Sequence, residues 1–177
     1  MPIYFVRHGQ SEFNAVFKKG DNDPMIFDAP LTALGRQQAL KARENIQGLG
    51  IRHVITSPFT RAIQTALLIF QDEVPIEVMD GHHELLLHSC DVGRSPNVLS
   101  KDFPGLEFSH LSETWWHHEK GRDISPEPEE TFKERISGFV HRLDRIVDRP
   151  LAVIGHGNAF NEIIGRKLEN CEIHRYR

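Results

Sequence analysis

A histidine and an arginine lie side by side where the first apolar segment of this chain ends. Arg7 and His8 follow residues 3–6, Ile-Tyr-Phe-Val, and precede Gly9. Four apolar residues bounded by polar ones predict a short buried strand, and glycine permits a tight turn. Ser11 can cap a helix after the turn, and the free N–H groups at its start would face an anion. This arrangement is typical of the start of a phosphohistidine site.

The same arrangement recurs near the other end of the chain. Residues 151–154, Leu-Ala-Val-Ile, predict a second strand, and Gly155, His156 and Gly157 follow it. In α/β sheets, ligands bind beyond the carboxyl ends of the strands. We therefore expect His8 and His156 to share one crevice.

Together these side chains meet the needs of phosphoryl transfer, which requires an in-line nucleophile, cations around the phosphoryl oxygens and a proton for the leaving oxygen. His8 can attack as a neutral imidazole, and Arg7 and Arg61 can bind phosphate oxygens through guanidinium forks. His156 can donate a further hydrogen bond. We expect the carboxylic acid of Glu84 to protonate the leaving group. These five residues are the predicted catalytic set.

Strands and helices alternate along the chain. Apolar runs predict strands over 3–6, 51–56, 74–78 and 151–154, and apolar stripes predict helices over about 32–48, 58–70 and 131–147. Ser57 followed by Pro58 is typical of a helix start, and Thr131 with Glu134 fits a capping box. The alternation predicts an α/β sheet covered by helices on both faces.

The segment from 80 to 129 shows no clear periodicity. We interpret it as an insertion over the site, because long segments of this kind often form substrate-covering lids. It contains six histidines, four of them in two adjacent pairs. Adjacent residues on a helix point about 100° apart and converge poorly on one ion, so no metal site is expected. The pair Trp115-Trp116 is expected to pack the insertion onto the domain.

Composition narrows the class of protein. A length of 177 residues without a linker-like stretch predicts one domain over 1–177. With 21 Lys plus Arg against 25 Asp plus Glu, the broad basic face required for nucleic acid or an anionic membrane is not evident. Cys90 and Cys171 are far apart, which predicts neither a disulfide framework nor a thiolate zinc site. No signal peptide or membrane-spanning run is visible, and we expect a soluble, cytoplasmic protein.

Four ordered blocks extend the pattern along nearly the whole chain. They are Arg7-His8-Gly9-Gln10-Ser11-x-x-Asn14, Pro30-Leu31-Thr32-x-x-Gly35-x-x-Gln38-Ala39, Ser57-Pro58-x-x-Arg61-Ala62-x-x-Thr65-Ala66 and Gly155-His156-Gly157-Asn158. In these blocks the sequence resembles the histidine phosphatase superfamily, the phosphoglycerate-mutase-like proteins with an Arg-His-Gly motif. The resemblance implies a three-layer α/β/α sandwich with a mostly parallel sheet, a covalent phosphohistidine at His8, and no cofactor or metal.

The resemblance also implies a phosphate pocket formed by Arg7, Asn14, Arg61 and His156. Gln10, Ser11, Gly157 and Asn158 belong to the same blocks and are further candidates for binding phosphate or substrate. For Ser11, a role as a plain helix cap fits the sequence equally well.

The general acid departs from the family pattern. The family usually has Leu-x-Glu at this place, whereas here His82 stands two residues before Glu84. Glu77, Asp80 and Asp91 therefore remain alternative acids.

The expected function is hydrolysis of a phosphomonoester, carried by a small molecule or a phosphoprotein, through phospho-His8. One alternative is a 2,3-bisphosphoglycerate-dependent phosphoglycerate mutase. The resemblance implies that such mutases have a larger insertion and a C-terminal tail, so we expect water to reach the phosphoenzyme more easily here. A non-catalytic module that binds phosphorylated ligands is the other alternative.

Overall fold

The computed structural model describes residues 2–177. Its central sheet contains β1 (Ile3–Arg7), β2 (His53–Thr56), β3 (Ile76–Val78), β4 (Leu151–Gly155) and β5 (Ile173–Arg175). The strand order is β3-β2-β4-β1-β5, with β5 antiparallel to β1 and every other pairing parallel. The four predicted strands are confirmed, and β5 is an addition that the sequence analysis missed.

Helices cover both faces of this sheet. The helices of residues 2–177 are α1 (Glu12–Val16), α2 (Ala33–Ile46), α3 (Thr60–Phe70), α4 (Pro96–Asp102), α5 (Glu129–Arg145) and α6 (Gly157–Ile164), of which α2, α3, α5 and α6 pack on the sheet as follows. Side chains alternate between the faces of a strand. Val6 and Ile154 therefore pack with α2 and α3, whereas Phe5 and Val153 pack with α5 and α6. The predicted three-layer α/β/α sandwich is confirmed.

The strand register brings the two histidines to the same level. Arg7 at the end of β1 pairs with Gly155 at the end of β4. His8 and His156 follow these residues at the same edge of the sheet, and the backbone N–H of His8 donates to the carbonyl of Gly155 at 3.0 Å. His8 and His156 thus lie next to each other at one edge of the sheet, with ring centroids 5.2 Å apart, but of the two His8 alone lines the cavity that opens there.

Two glycines hold the turn after β1 against α2. A Cβ atom on Gly9 would lie 2.5 Å from the carbonyl oxygen of Gly35, and one on Gly35 would collide with the Gln10 carbonyl. The N–H of Gly9 donates to the hydroxyl of Thr65 on α3 at 3.1 Å. A larger residue at either glycine would push apart the backbone segments that position His8.

Two helix starts differ from the prediction. Helix α3 begins at Thr60, and its first N–H donates to the Asp28 carboxylate at 2.9 Å, so Ser57 and Pro58 are not its cap and first residue. Helix α5 begins at Glu129 after Pro128, without the expected capping box at Thr131. Asp28 is 32 residues from Thr60 along the chain, and a local pattern does not show such a partner. For α5, two glutamates in the first turn favour the earlier start.

The segment 80–129 divides into two parts with different surroundings. Residues 96–116 pack beside α3, where Leu99, Phe108 and Trp115 are buried against Phe59. The indole N–H of Trp115 donates to the Arg94 carbonyl at 2.9 Å. Residues 84–91 lie at the carboxyl edge of the sheet, next to the cavity described below. We call residues 82–91 the crossing segment.

Candidate active site

A cavity of about 460 Å³ opens at the carboxyl edge of the sheet. Its volume is within the range of about 300–1,000 Å³ that is usual for small-molecule sites. The residues that line it are Arg7, His8, Ser11, Phe13, Asn14, Phe17, Lys19, Arg61, Glu84, Leu87, His88, Cys90, Asp91, Gly157, Asn158 and Lys167. The cavity therefore contains most of the predicted site residues.

His8 presents one ring nitrogen to this cavity. Its Nδ1 lies 2.7 Å from the carbonyl oxygen of Gly9. A carbonyl can only accept, so we place the proton on Nδ1, and Nε2 keeps its lone pair. Burial, followed by the charges of Arg61 and Arg7, holds the pKa of His8 well below its usual value. The imidazole is therefore neutral near pH 7, as a nucleophile must be.

Arg7 is anchored by a backbone carbonyl. Its Nη1 donates to the carbonyl of Leu168 at 2.8 Å, and burial lowers its pKa. The Nε atom is buried and has no hydrogen-bond partner within the part of the chain that the structure describes. Gly157 lies against the guanidinium, where a Cβ atom would be 3.5 Å from Nε. Arg7 thus retains donor capacity at the cavity.

Arg61 is held in place on three sides. Its Nη1 donates to the carbonyl of Cys90 at 2.7 Å, and its Nη2 donates to Oδ1 of Asp91 at 3.1 Å. The guanidinium carbon lies 4.4 Å from the ring centroid of Phe59. Arg61 is only 3% exposed, so it is not an ordinary surface arginine of a helix.

Asp91 holds Arg61 and the backbone around it. Its Oδ2 accepts hydrogen bonds from the N–H groups of Leu87 and His88, each at 3.2 Å. Burial raises the pKa of Asp91, while the Arg61 guanidinium opposes the rise. With these contacts, Asp91 is suited to positioning Arg61, a role that the sequence analysis did not assign.

The side chain of Glu84 lies against the first residues of α6. Its carboxyl group accepts hydrogen bonds from the N–H groups of Asn158 at 3.1 Å, Ala159 at 3.2 Å and Leu85 at 2.9 Å. Burial, and next the charge of Asp91, raises its pKa, and the amide contacts oppose that rise. A buried carboxyl with a raised pKa on the cavity wall is suited to donating a proton.

The other candidate acids lie elsewhere. Glu77 is exposed at the edge of the sheet and lies 3.1 Å from His53. Asp80 is not among the residues lining the cavity. Of the four carboxylates considered, the structure brings only Glu84 and Asp91 to the site.

His156 lies behind the cavity wall. It is fully buried, with its ring centroid 5.2 Å from that of His8. Its Nε2 is 2.5 Å from the hydroxyl of Ser57, and its Nδ1 is buried without a partner among residues 2–177. Burial, followed by the charge of Arg61, holds its pKa well below the usual value. Ser57, expected to be a helix cap, instead orients this histidine.

The remaining candidates have separate roles. Ser11 and Asn14 form the capping box of α1, with Ser11 Oγ accepting from the Asn14 N–H at 3.1 Å, and both line the cavity. Gln10 does not reach the cavity, because its side-chain oxygen accepts the hydroxyl of Thr32 at 2.8 Å. The backbone N–H of Asn158 donates to the carboxyl group of Glu84.

His82 of the crossing segment is fully buried and packs against the core and the end of β4. His82 is stacked on Phe139 with ring centroids 4.3 Å apart, and its Nε2 donates to the Ile154 carbonyl at 3.0 Å. Burial lowers its pKa to about 3.

Residues 2–177 contain no group of three His, Cys, Asp or Glu side chains placed to hold a metal ion. Nor does this part of the chain contain a helix long and apolar enough to cross a membrane.

Comparison with known proteins identifies the family. The family model of the histidine phosphatase superfamily (branch 1) matches residues 3–177, so this chain belongs to that superfamily. A Proteus mirabilis protein named "Probable phosphoglycerate mutase GpmB" is 39% identical over 200 residues, covering 99% of this chain and 84% of the relative. A "Probable phosphatase" of Schizosaccharomyces pombe is 27% identical over 173 residues, covering 88% and 73%.

Two solved structures share the fold. An alpha-ribazole phosphatase from Shigella flexneri has a TM-score of 0.65 at 20% identity, covering 98% of this chain and 88% of that one. A mycobacterial glucosyl-3-phosphoglycerate phosphatase in complex with VO3 has a TM-score of 0.64 at 20% identity, covering 98% and 90%. The family and the phosphatase-named relative from Schizosaccharomyces pombe support a phosphatase-type enzyme.

Proposed function

We propose that this protein hydrolyses phosphomonoesters through a covalent phosphohistidine at His8 Nε2. The observation that carries the proposal is a neutral imidazole, fixed by its Nδ1 bond to Gly9, on one cavity with two guanidiniums. A phosphoryl group bound there meets a lone pair and two cations at once. This combination supplies the positioning and charge stabilisation that phosphoryl transfer requires.

In the first step, Nε2 of His8 attacks phosphorus while Arg7 and Arg61 bind the non-bridging oxygens. The N–P bond forms, the bond from phosphorus to the leaving oxygen breaks, and Glu84 gives its proton to that oxygen. In the second step, the Glu84 carboxylate takes a proton from water, and the water oxygen attacks phosphorus. The N–P bond breaks, phosphate leaves, and His8 is neutral again.

A phosphoglycerate mutase is the rival function, because a relative with that name is 39% identical to this chain. The two reactions share the first step and differ in whether water or a second hydroxyl receives the phosphoryl group. Exposed residues, including Lys19, Leu87 and Lys167, are found among those lining the cavity, which favours access of water. With 3-phosphoglycerate and a trace of 2,3-bisphosphoglycerate, we expect phosphate to form faster than 2-phosphoglycerate. The opposite order would establish the mutase.

The substrate class in this proposal is a phosphorylated small molecule or a phosphoprotein in the cytoplasm. The free thiols of Cys90 and Cys171 are compatible with a reducing compartment. Because two arginines can stabilise the phosphoryl charge, we expect turnover to survive EDTA. Vanadate, which can imitate five-coordinate phosphorus, is expected to inhibit.

The decisive experiment traps the phosphoenzyme. Wild-type protein, His8→Ala and a control, His118→Ala, are mixed with p-nitrophenyl phosphate, quenched in alkali and analysed by mass spectrometry. We expect an acid-labile phosphoryl group on His8 in the wild type and the control, formed no more slowly than turnover. His8→Ala is expected to lose at least about 10³-fold in kcat/KM while keeping its melting temperature. Normal turnover by folded His8→Ala would refute the proposal, and phosphate binding without any turnover would indicate the non-catalytic module.

A further inference from the structure

The part of the cavity beyond the phosphate-binding residues has an aromatic wall. Phe13 and Phe17 have ring centroids 4.8 Å apart, and His88 lies 5.6 Å from Phe13 and 4.6 Å from Phe17. We call these three residues the aromatic wall. Phe13 is 4% exposed and Phe17 is half-buried, and both line the cavity. Phe17 and His88, which are both half-buried, thus offer most of the ring surface that is open to a bound molecule.

The wall is supported by packing and by fixed hydrogen bonds. Cys90 packs in one cluster with Phe13, and burial raises the pKa of its thiol, which therefore stays uncharged. The N–H of Ser89, next to His88, donates to the Asp23 carboxylate at 2.7 Å. These contacts hold the crossing segment against the residues that follow α1. A preorganised aromatic surface favours a flat apolar ligand group over a flexible polar one.

Two lysines line the same cavity. Lys19 follows α1 and Lys167 follows α6, and both are exposed. Neither ammonium group forms a salt bridge with a carboxylate of residues 2–177. The carboxylates of the cavity are already engaged, Asp91 by Arg61 and Glu84 by the start of α6. The lysines therefore give the cavity positive charge in addition to that of Arg7 and Arg61, the two residues that would bind the phosphoryl group.

We propose that the preferred substrate is a phosphomonoester whose alcohol carries an aromatic ring and a second anionic group. The ring would lie on the aromatic wall, the phosphoryl group between Arg7 and Arg61, and the second anion near Lys19 and Lys167. This inference rests on the proposed function, because it assigns the organic half of the same substrate. It distinguishes this cavity from one shaped for a small polar phosphate ester.

Four substrates test the two features separately. They are benzyl phosphate, 4-carboxybenzyl phosphate, glycerol 3-phosphate and 3-phosphoglycerate. All four release a primary alcohol, so differences in kcat/KM reflect recognition more than leaving-group chemistry. We expect 4-carboxybenzyl phosphate to exceed 3-phosphoglycerate by about tenfold, through burial and stacking of the ring. We expect it to exceed benzyl phosphate by about three- to fivefold, through attraction at an exposed site.

Matched variants assign these preferences to residues. Lys19→Met and Lys167→Met should each lower kcat/KM for the carboxylated substrates by about two- to fivefold, with no change for benzyl phosphate. Lys18→Met is the control, since Lys18 is exposed but does not line the cavity. Phe17→Ala should lower kcat/KM for both benzyl substrates by about three- to tenfold and leave both glycerol-based ones unchanged. Phe27→Ala, an exposed phenylalanine outside this cavity, is its control.

The outcomes separate this inference from the proposed function. If p-nitrophenyl phosphate and all four esters resist turnover, the proposed function fails. The inference is then judged by calorimetric binding of benzylphosphonate, 4-carboxybenzylphosphonate and propylphosphonate, with the carboxylated ligand expected to bind most tightly. If turnover occurs but 3-phosphoglycerate equals or exceeds 4-carboxybenzyl phosphate, the aromatic preference is wrong. Equal rates for the two benzyl esters would likewise overturn the role of the lysines.

Discussion

The site joins two regions that are built in different ways. The ends of β1 and β4 are regular, paired strands, and they carry Arg7, His8 and His156. The crossing segment is irregular, and it carries Glu84 and Asp91. The strand ends are positioned by the sheet itself, whereas the crossing segment is positioned by long-range hydrogen bonds.

The two regions also differ in the direction in which the pKa values of their titratable groups are shifted. At the strand ends, burial and the charge of Arg61 hold the pKa of His8 and of His156 well below the usual value, and Arg7 adds to this effect at His8. In the crossing segment, burial raises the pKa of both carboxyl groups. The strand ends can therefore supply a nucleophile, and the crossing segment can supply a proton. The nucleophile and the acid therefore come from different elements and share the influence of Arg61, which lowers the pKa of both His8 and Glu84. Substitutions at residues other than Arg61 should be able to separate the two roles.

The largest expected effects come from replacing Arg61 or Arg7, and the loss of stability should distinguish the two arginines. Arg61→Ala should lower kcat/KM by about 10²–10³-fold, the usual loss for one donor to a charged transition state. It should also lower the free energy of unfolding by about 3–5 kcal/mol, because Asp91 stays buried without its partner. Arg7→Ala should lose comparable activity but only about 1–3 kcal/mol of stability, since its Nη1 partner is a carbonyl.

A double variant provides the check on this explanation. Arg61→Ala combined with Asp91→Asn should regain most of the lost stability in urea unfolding while remaining inactive. If Arg61→Ala alone unfolds at the wild-type urea concentration, Asp91 does not depend on Arg61 for its burial.

The next prediction isolates the acid in the crossing segment. Glu84→Gln should slow alkyl phosphates by about 10²-fold or more, because proton transfer to a poor leaving group contributes that much. p-Nitrophenyl phosphate should lose far less, since its leaving group needs little protonation. Comparing kcat/KM for both substrates in wild type and variant measures the difference. Equal losses would remove Glu84 from the role of acid.

A smaller effect is expected on the pH profile of alkyl phosphate turnover. If Glu84 must be protonated, kcat/KM falls as pH rises through its pKa. The charge of Asp91 contributes to raising that pKa, whereas Arg61 lowers it. Asp91→Asn removes the first influence and leaves the second, so the alkaline limb should move to lower pH. Abolished alkyl turnover with normal p-nitrophenyl phosphate turnover would instead identify Asp91 as the acid.

The sequence predicted the strand ends better than the crossing segment, for physical reasons. Arg7 and His8 follow a local apolar run, and such runs predict buried strands directly. Strand β5 has only three residues, Ile173–Arg175, too few to show alternation. Ser57 was assigned to a helix start, whereas its partner His156 lies 99 residues away. Contacts at such separations leave no periodic pattern.

The prediction of the general acid was limited for the same reason, because the contacts that position the candidate carboxylates join residues far apart in the sequence. Glu84 was selected from its place after the third strand, and the structure brings it to the cavity. Nothing local separated it from Glu77, whose exposure follows from the edge position of β3. The pairing of Asp91 with Arg61 spans 30 residues of chain and was likewise hidden. Catalytic roles of these residues remain predictions that the experiments above address.

The smallest expected effect concerns the contact that joins the two regions. His82 in the crossing segment donates to the Ile154 carbonyl on β4, and burial lowers its pKa to about 3. In the unfolded chain its pKa is near 6.5, so below that pH the unfolded state binds an extra proton. Stability from this group is complete above pH 6.5 and is lost as pH falls toward 3, by about 1.4 kcal/mol per pH unit.

Substitution of His82 by an uncharged donor separates its contribution to the pH dependence of stability from that of the other titrating groups. His82→Gln keeps an N–H donor and does not titrate, so its unfolding free energy should fall less than that of the wild type between pH 7.5 and 5.5, by about 1 kcal/mol. Between pH 7.5 and 8.5 the two proteins should change in parallel, because His82 is then neutral in both the folded and the unfolded state. Urea unfolding at each pH measures both intervals. If the unfolding free energies of wild type and His82→Gln changed in parallel over the whole pH range, the folded protein would accommodate a charged His82. The contact between the crossing segment and β4 would then be open to solvent.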